Sequence, residues 1–337
     1  MLKCSTTAVD ITVAQKLHQG IGVNRAVTSR LTATTYKLTQ TTAFKDKFIK
    51  FAVRHFNENM SKKRRVAEAI KQVVSTMMDK VMNNVLVNDP FIKEKHHSSK
   101  PLYSALVPDE IFKGSHFERR FVTPFGGVWE KLAQVVANEN HGHCSMGHSI
   151  NGVVGSESLR RIQEVLNNLE HSSKGAEKIK PDWAKELEYI KQGGGNPIPV
   201  SVTCDIFIHN EETDTKYAFE LKAPLPNSDQ TKVSKEKMLK LLAMHPKQVD
   251  YAFYALVYNP YGKKEDYKWT FPMRWFNMHK DESVLIGNEF WDLIGGEGTY
   301  KTFITEVNKL GKEYKERIYR EFLEMEPPQN FDQTLLK

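Results

Sequence analysis

Asp205, Glu220 and Lys222 have the types and spacing to act together on a phosphodiester. Hydrolysing that bond requires charge to be neutralised on the phosphate and a water to be made nucleophilic near neutral pH. A Mg²⁺ ion held by carboxylates supplies both and keeps open positions for water and phosphate. A lysine beside it can position the water and screen developing negative charge. In a strand, residues two apart share a face, so Glu220 and Lys222 point the same way. A preceding hairpin strand can set Asp205 opposite Glu220, since paired strands lie about 4.8 Å apart. The carbonyl of Leu221 falls between them as a further candidate metal ligand.

The bare spacing of an acidic residue two before a lysine is common. It occurs four times, at Asp214/Lys216, Glu220/Lys222, Asp266/Lys268 and Glu313/Lys315. Only the second falls in a strand pattern with an Asp on the strand before it. An ion pair on the solvated face of a hairpin would leave the same trace.

The elements that must position these residues follow from periodicity. In 200–208 the alternate residues Val200, Val202, Cys204, Ile206 and Ile208 face one way, and Ser201, Thr203 and Asp205 the other. The polar segment His209 to Thr215 reads as a hairpin loop. In the return strand Tyr217, Phe219 and Leu221 oppose Ala218, Glu220 and Lys222, and Pro224 and Pro226 end it. A helix follows, with Val233, Met238, Leu241 and Leu242 inside and Lys232, Lys235, Lys237 and Lys240 largely outside. The unbroken apolar run Tyr251 to Tyr258 fits a buried central strand. Upstream, Val66, Ile70, Val73, Met77 and Val81 mark one amphipathic helix. Val128, Trp129, Leu132, Val135 and Val136 mark a second after Gly126–Gly127. A third runs through Leu159, Ile162, Leu166 and Leu169 with Ser156 as its N-cap. A long C-terminal helix is marked by Phe303, Val307, Leu310, Tyr314, Ile318 and Phe322.

The strand Val202 to Ile208 followed by Phe219-Glu-Leu-Lys-Ala-Pro-Leu-Pro-Asn227 resembles the PD-(D/E)xK nuclease superfamily. Together with 230–242 and the string Val284 to Tyr300 around Trp291, it resembles more narrowly the TdeIII family of type II restriction endonucleases. The similarity covers roughly residues 61–325. The proline that names the superfamily motif is not adjacent to Asp205, where Cys204 stands. The resemblance implies a restriction-endonuclease-like α/β fold, with a central mixed sheet flanked by helices. It implies Asp205 and Glu220 as Mg²⁺ ligands, Lys222 as the catalytic lysine, and Glu130 as a helix carboxylate joining the metal. Glu130 could equally be a solvated residue beside its helix's apolar stripe. Asn227 and Gln230 could orient metal water or DNA phosphate, or serve the loop and the next helix's N-cap.

Charge adds little about the partner. The net charge of +7 is concentrated in residues 1–60, with nine Lys/Arg against three Asp/Glu, while 61–337 carry 39 against 38. A nucleic-acid case therefore rests on local residues. Lys232, Lys235, Arg119, Arg120 and Arg274, with Lys263–Lys264, are the candidates for contacts to DNA phosphates or bases. Residues 1–42, with ten threonines and one acidic residue, are read as poorly ordered, and 1–59 as a basic extension ahead of a catalytic domain at 60–337. They lack the apolar core of a signal peptide but leave an organelle transit peptide open. No run approaches the roughly 18 apolar residues of a membrane span. Three widely spaced cysteines exclude a disulfide scaffold and fit a reducing cytoplasm. His141, His143, Cys144 and His148 form the tightest metal-like group, in a segment that reads as a Gly/Ser-rich loop near the DNA. Their spacing matches no standard zinc finger. The triple glycine 193–195 lacks the Lys-Ser/Thr of a nucleotide-binding loop.

These readings converge on a Mg²⁺-dependent type II restriction endonuclease making site-specific breaks in double-stranded DNA. A homodimer suits two scissile phosphates on a near-palindromic site, and a DNA methyltransferase would be its genetic partner. The alternatives are a structure-directed repair nuclease of the same fold and an inactive DNA-binding relative. Retention of all three motif residues argues against the last.

Overall fold

The computed structural model describes residues 42–171 and 179–331. The chain divides into two units, 1–61 and 62–337. The region read as poorly ordered at 1–41 lies outside the described residues. Helix α1 covers Thr42–Asn83, so helical backbone occupies 42–59, where the sequence pattern predicts little order.

After α1 come two short helices, α2 (Lys93–Ser99) and α3 (Pro101–Leu106), and then α4 (Asp109–Gly126) and α5 (Val128–His141). Strand β1 is Gly142–Gly155, followed by α6 (Ser156–Glu170) and α7 (Trp183–Lys191). The motif-bearing strands are β2 (Pro197–Asn210) and β3 (Thr215–Lys222). Helix α8 (Ser228–Ala243), β4 (Tyr251–Leu256), β5 (Val284–Ile286), α9 (Asn288–Gly295) and α10 (Thr299–Arg317) complete the set. The five strands form one sheet in chain order. β1, β2 and β3 pair antiparallel; β3, β4 and β5 pair parallel. The mixed sheet with helices on both faces is the α/β architecture expected from the sequence.

Each face carries its own core. On one side α1, α5, α9 and α10 pack Ile70, Leu132, Trp291 and Phe303 against Phe219, Leu221 and Ala255. On the other, α6 and α8 pack Ile162, Leu166, Met238 and Leu239 against Ala218, Tyr254 and Leu256. Period two on β3 thus sends Phe219 and Leu221 to one core and Ala218 and Glu220 to the other.

Strand β2 departs from the simple alternation. Ile206 and Ile208 belong to the first core, whereas Val202 and Cys204, of the same parity, belong to the second. The β1–β2 register is continuous except at Gly147 and Asp205. Gly147 has φ +57, a conformation that glycine adopts without the steric cost a side chain brings. The exchange of faces therefore falls at Asp205, one of the candidate site residues.

Two smaller corrections concern helix ends. Ser156 is the first residue of α6, whose N-cap is Gly155; its hydroxyl instead accepts the Asn196 N–H at 3.0 Å. On α8, Met238 and Leu241 are buried as expected, but Val233 is exposed, and the N-terminal half of the buried face is polar, with Thr231, Ser234 and Lys235. Hydrophobic periodicity could not register that face.

Candidate active site

The β2–β3 ladder ends at the pair Ile206–Phe219. Beyond it, the Asp205 carboxylate takes the place of a ladder carbonyl, with Oδ2 accepting the Leu221 N–H at 2.7 Å. The same oxygen accepts from Lys222 Nζ at 3.1 Å. That ammonium also donates to the Leu221 carbonyl at 2.8 Å and lies 3.5 Å from Glu220 Oε2. One cation is therefore ringed by two carboxylates and a backbone oxygen at the end of a strand pair.

Asp205 and Lys222 keep partial access to solvent, whereas Glu220 is only 2% exposed. Burial pushes the Glu220 carboxyl above its ordinary range, and the Asp205 charge adds to this; Lys222 and Lys237 pull the other way. Two residues of α8 hold Glu220 in place. Lys237 Nζ lies 2.9 Å from Oε1, and Ser234 Oγ donates to Oε2 at 3.2 Å. Neither stood out in the sequence; a lysine and a serine three apart on the helix after the motif were the available signal. Below them the Thr231 and Tyr254 hydroxyls meet at 3.0 Å. The loop after the motif is fixed by Tyr267 and Trp269, which donate to the carbonyls of Pro224 and Pro226 at 2.9 and 2.7 Å.

The other three acid-x-lysine pairs stand elsewhere. Asp214 is in the exposed turn after β2, Asp266 in a short 3₁₀ turn and Glu313 on the exposed face of α10. Only Glu220/Lys222 joins a buried strand to a second carboxylate.

A family model described as type II restriction endonuclease, HinfI, matches residues 66–311. The chain belongs to the HinfI family of type II restriction endonucleases. The match takes in the whole sheet and every motif residue. Among related proteins, three type II restriction enzymes of Herpetosiphon aurantiacus are similar. HgiCII is 24% identical over 66% of this chain and 82% of its own length. HgiBI is 23% identical over 70% and 85%, and HgiEI 23% over 76% and 93%. The protein is accordingly a site-specific deoxyribonuclease acting on double-stranded DNA. The matched family is HinfI's, where the sequence reading pointed to TdeIII.

In this HinfI-family enzyme the remaining candidates separate by environment. Glu130, in the first turn of α5, is half-buried; burial and then the nearby Asp205 charge raise its carboxyl, opposed by Lys222. It senses the site electrostatically. Among the described residues, no three His, Cys, Asp or Glu side chains are arranged to hold a metal ion. Asn227 is the N-cap of α8, its Oδ1 accepting the Gln230 N–H at 2.8 Å, and Gln230 is exposed in the helix's first turn. Lys232 pairs with Glu170 and lies over the Trp275 ring. Arg274 is exposed on a short 3₁₀ turn. Arg119 and Arg120 line a pocket with Lys95, His96, His116 and Phe112, and Arg120 is paired with Asp89.

Lys235 is a correction. It is fully buried, its ammonium held by Glu186 and the Trp275 carbonyl and 5.0 Å from the Phe276 ring centre. Burial lowers its pKa, with Glu186 opposing. Such a group is a structural bolt between α7 and α8 and offers nothing to DNA.

The histidine–cysteine group is dispersed: His141 ends α5, and His143, Cys144 and His148 lie along β1, a strand where a loop was expected. Cys144 faces the first core, its thiol pushed up to about 12 by burial. His141 meets the Leu293 carbonyl at 3.1 Å, and His148 stacks on Phe207 with ring centres 4.4 Å apart. No zinc site assembles from them.

Proposed function

We propose that this endonuclease cleaves with Mg²⁺ held by Asp205, Glu220 and the Leu221 carbonyl, with Lys222 as the catalytic lysine and Glu130 nearby. One observation carries this reading: Asp205 Oδ2, Glu220 Oε2 and Leu221 O converge on the Lys222 ammonium at 3.1, 3.5 and 2.8 Å. Three oxygens arranged around one positive charge are the hard donor set that suits Mg²⁺, which takes few protein ligands and keeps its remaining positions for water and phosphate. When bound, the ion would neutralise phosphate charge and lower the pKa of a water. The chain's own residues do the rest. Asp205 is oriented by the Leu221 N–H, so its second oxygen keeps a defined direction. Lys222 is anchored at the strand end, from which its ammonium can orient a water and screen charge on the phosphate.

The strand-borne Asp, Glu and Lys on a mixed sheet support membership of the PD-(D/E)xK superfamily. The TdeIII resemblance around Trp291 reflects packing: Val284, Ile286, Phe290, Trp291 and Ile294 are all buried. It therefore speaks to shared architecture more than to a shared DNA site. Cutting both strands of a near-palindrome favours a two-fold homodimer. A DNA methyltransferase that protects the host site and a cytoplasmic location follow from the restriction role. No described helix is long and apolar enough to cross a membrane. Arg119, Arg120, Arg274, Lys232, Asn227 and Gln230 remain candidates for DNA contact.

The test is incubation with unmethylated plasmid, with Mg²⁺ or with EDTA, followed by sequencing of the ends. Discrete fragments with one end sequence that require Mg²⁺ are expected. Full activity in EDTA would overturn the metal reading, and a smear of ends would favour a structure-directed cutter.

A further inference from the structure

The polar face of α8 invites a question the motif leaves open: what decides which oxygen of Glu220 turns toward Asp205. The two oxygens have different partners. Oε1 is taken by Lys237 at 2.9 Å; Oε2 receives the Ser234 hydroxyl at 3.2 Å and lies 3.5 Å from Lys222. Ser234 and Lys237 are three apart on one helix and therefore share a face. Among the described residues, the ion pair recorded for Lys237 is this one with Glu220. One turn on, Lys240 makes an ordinary helical pair with Glu236 at 2.6 Å. Lys237 thus spends its charge on a carboxylate 2% exposed, although its own side chain is 31% exposed and free to seek water.

We infer that Lys237 is a positioning residue, acting through Glu220, that ties down Oε1 so that Oε2 alone is offered to the Asp205–Leu221 oxygen set. The inference rests on the metal reading of that set. Without the tether the carboxylate can turn about its last torsion, which is soft and two-fold. It would then present either oxygen, or both, to the set. Holding one orientation fixes the geometry in which a water and a phosphate must be aligned. Partners of metal ligands commonly shift ion affinity or activity by about 10–100-fold.

The experiment uses the full chain and the variants Lys237→Met, Lys237→Arg and Lys237→Gln, with Lys240→Met as the control on the same helix. Mg²⁺ affinity is measured by titration calorimetry, and plasmid cleavage is followed across Mg²⁺ concentrations. Lys237→Met is expected to weaken Mg²⁺ binding about tenfold or more and to slow cleavage at saturating Mg²⁺ by a similar factor. Lys237→Arg should restore both to within about threefold, since it keeps a cation at the same carboxylate, and Lys240→Met should match wild type. A purely structural role would lower the melting temperature and leave Mg²⁺ affinity unmoved. Unchanged or tighter Mg²⁺ binding in Lys237→Met overturns the inference, the latter marking the lysine as a competitor for Glu220. If Lys237→Met fails to fold, the Arg and Gln variants decide: a Gln variant that behaves like the Arg variant overturns it. Glu220→Gln separates this from the underlying reading. If Glu220→Gln still cuts, the site is wrong; if it is dead while Lys237→Met is normal, only the tether falls.

Discussion

Replacing Glu220 by glutamine keeps its shape and removes its charge, and the surroundings fix what should follow. Burial and the Asp205 charge raise the Glu220 carboxyl above its ordinary 4.5, so without metal its ionised form is unfavourable in the fold. The amide removes that penalty. It also gives up the ion pair with Lys237, which is one-third exposed and worth at most about 1 kcal/mol. Ser234 keeps an acceptor in the amide oxygen. Two opposed contributions of this size leave Glu220→Gln within about 1 kcal/mol of wild type, a shift of no more than about 2–4 °C in melting temperature. The sign depends on pH. Because the folded value is raised, the wild-type carboxyl contributes stability below about 4.5 that is lost as pH rises through the folded value. The difference should therefore move in favour of glutamine from about pH 4.5 upward. With Mg²⁺ at ten times its dissociation constant, wild type should gain about 1.4 kcal/mol, and the variant clearly less. Cleavage should fall at least about 10²-fold, the scale for removing one preorganised electrostatic group. Thermal unfolding at several pH values, with and without Mg²⁺, beside a plasmid assay, measures all of this. An active variant, or one with the full Mg²⁺-induced stabilisation, would refute the assignment of Glu220 as a ligand.

Asp205→Ala should abolish cleavage and also cost about 1–3 kcal/mol, because the Leu221 N–H loses its acceptor; chemical denaturation checks the second part. Ca²⁺ in place of Mg²⁺ should allow site-specific DNA binding with little cutting, since it accepts looser geometry at the same oxygens; gel shift and cleavage on one fragment compare the two. Lys235→Met should destabilise by about 3–5 kcal/mol by leaving Glu186 buried without its cation, with nonspecific DNA affinity unchanged; a loss of DNA binding in a folded variant would restore it as a contact. A chain begun at Met60 should fold and cut, because among the described residues the core positions of α1 begin at Val66; loss of specific cutting would show that residues 1–59 help build the site.

The sequence was most readable where one face is apolar and the other is not. The hairpin, the run at 251–258 and the helices through Ile70, Leu132, Ile162 and Phe303 follow from period alone, because burial of those side chains drives the elements together. The acid–lysine pair was legible because strand period puts Glu220 and Lys222 on one side. Less legible was the N-terminal half of α8, whose inward face carries Thr231, Ser234 and Lys235, residues that mark a solvated surface in most helices. Their partners Glu220, Tyr254 and Glu186 are distant in sequence, so burial of this face cannot be seen from within the helix. Strand β1 was hidden because its histidines, serines and glycines suggest a loop; thirteen backbone pairings with β2 hold it. The exchange of faces at Asp205 was also out of reach, since it accompanies a break in the pairing with Gly147 on a different strand.

That Asp205 completes the end of a strand ladder gives the two carboxylates unequal histories. Glu220 is expected to become an amide at little loss to the fold, whereas Asp205 cannot leave without stranding a backbone N–H. A gene copy released from the need to cut DNA would therefore shed Glu220 early and hold Asp205 late. Its descendants would carry an aspartate kept by the fold long after the reaction had gone.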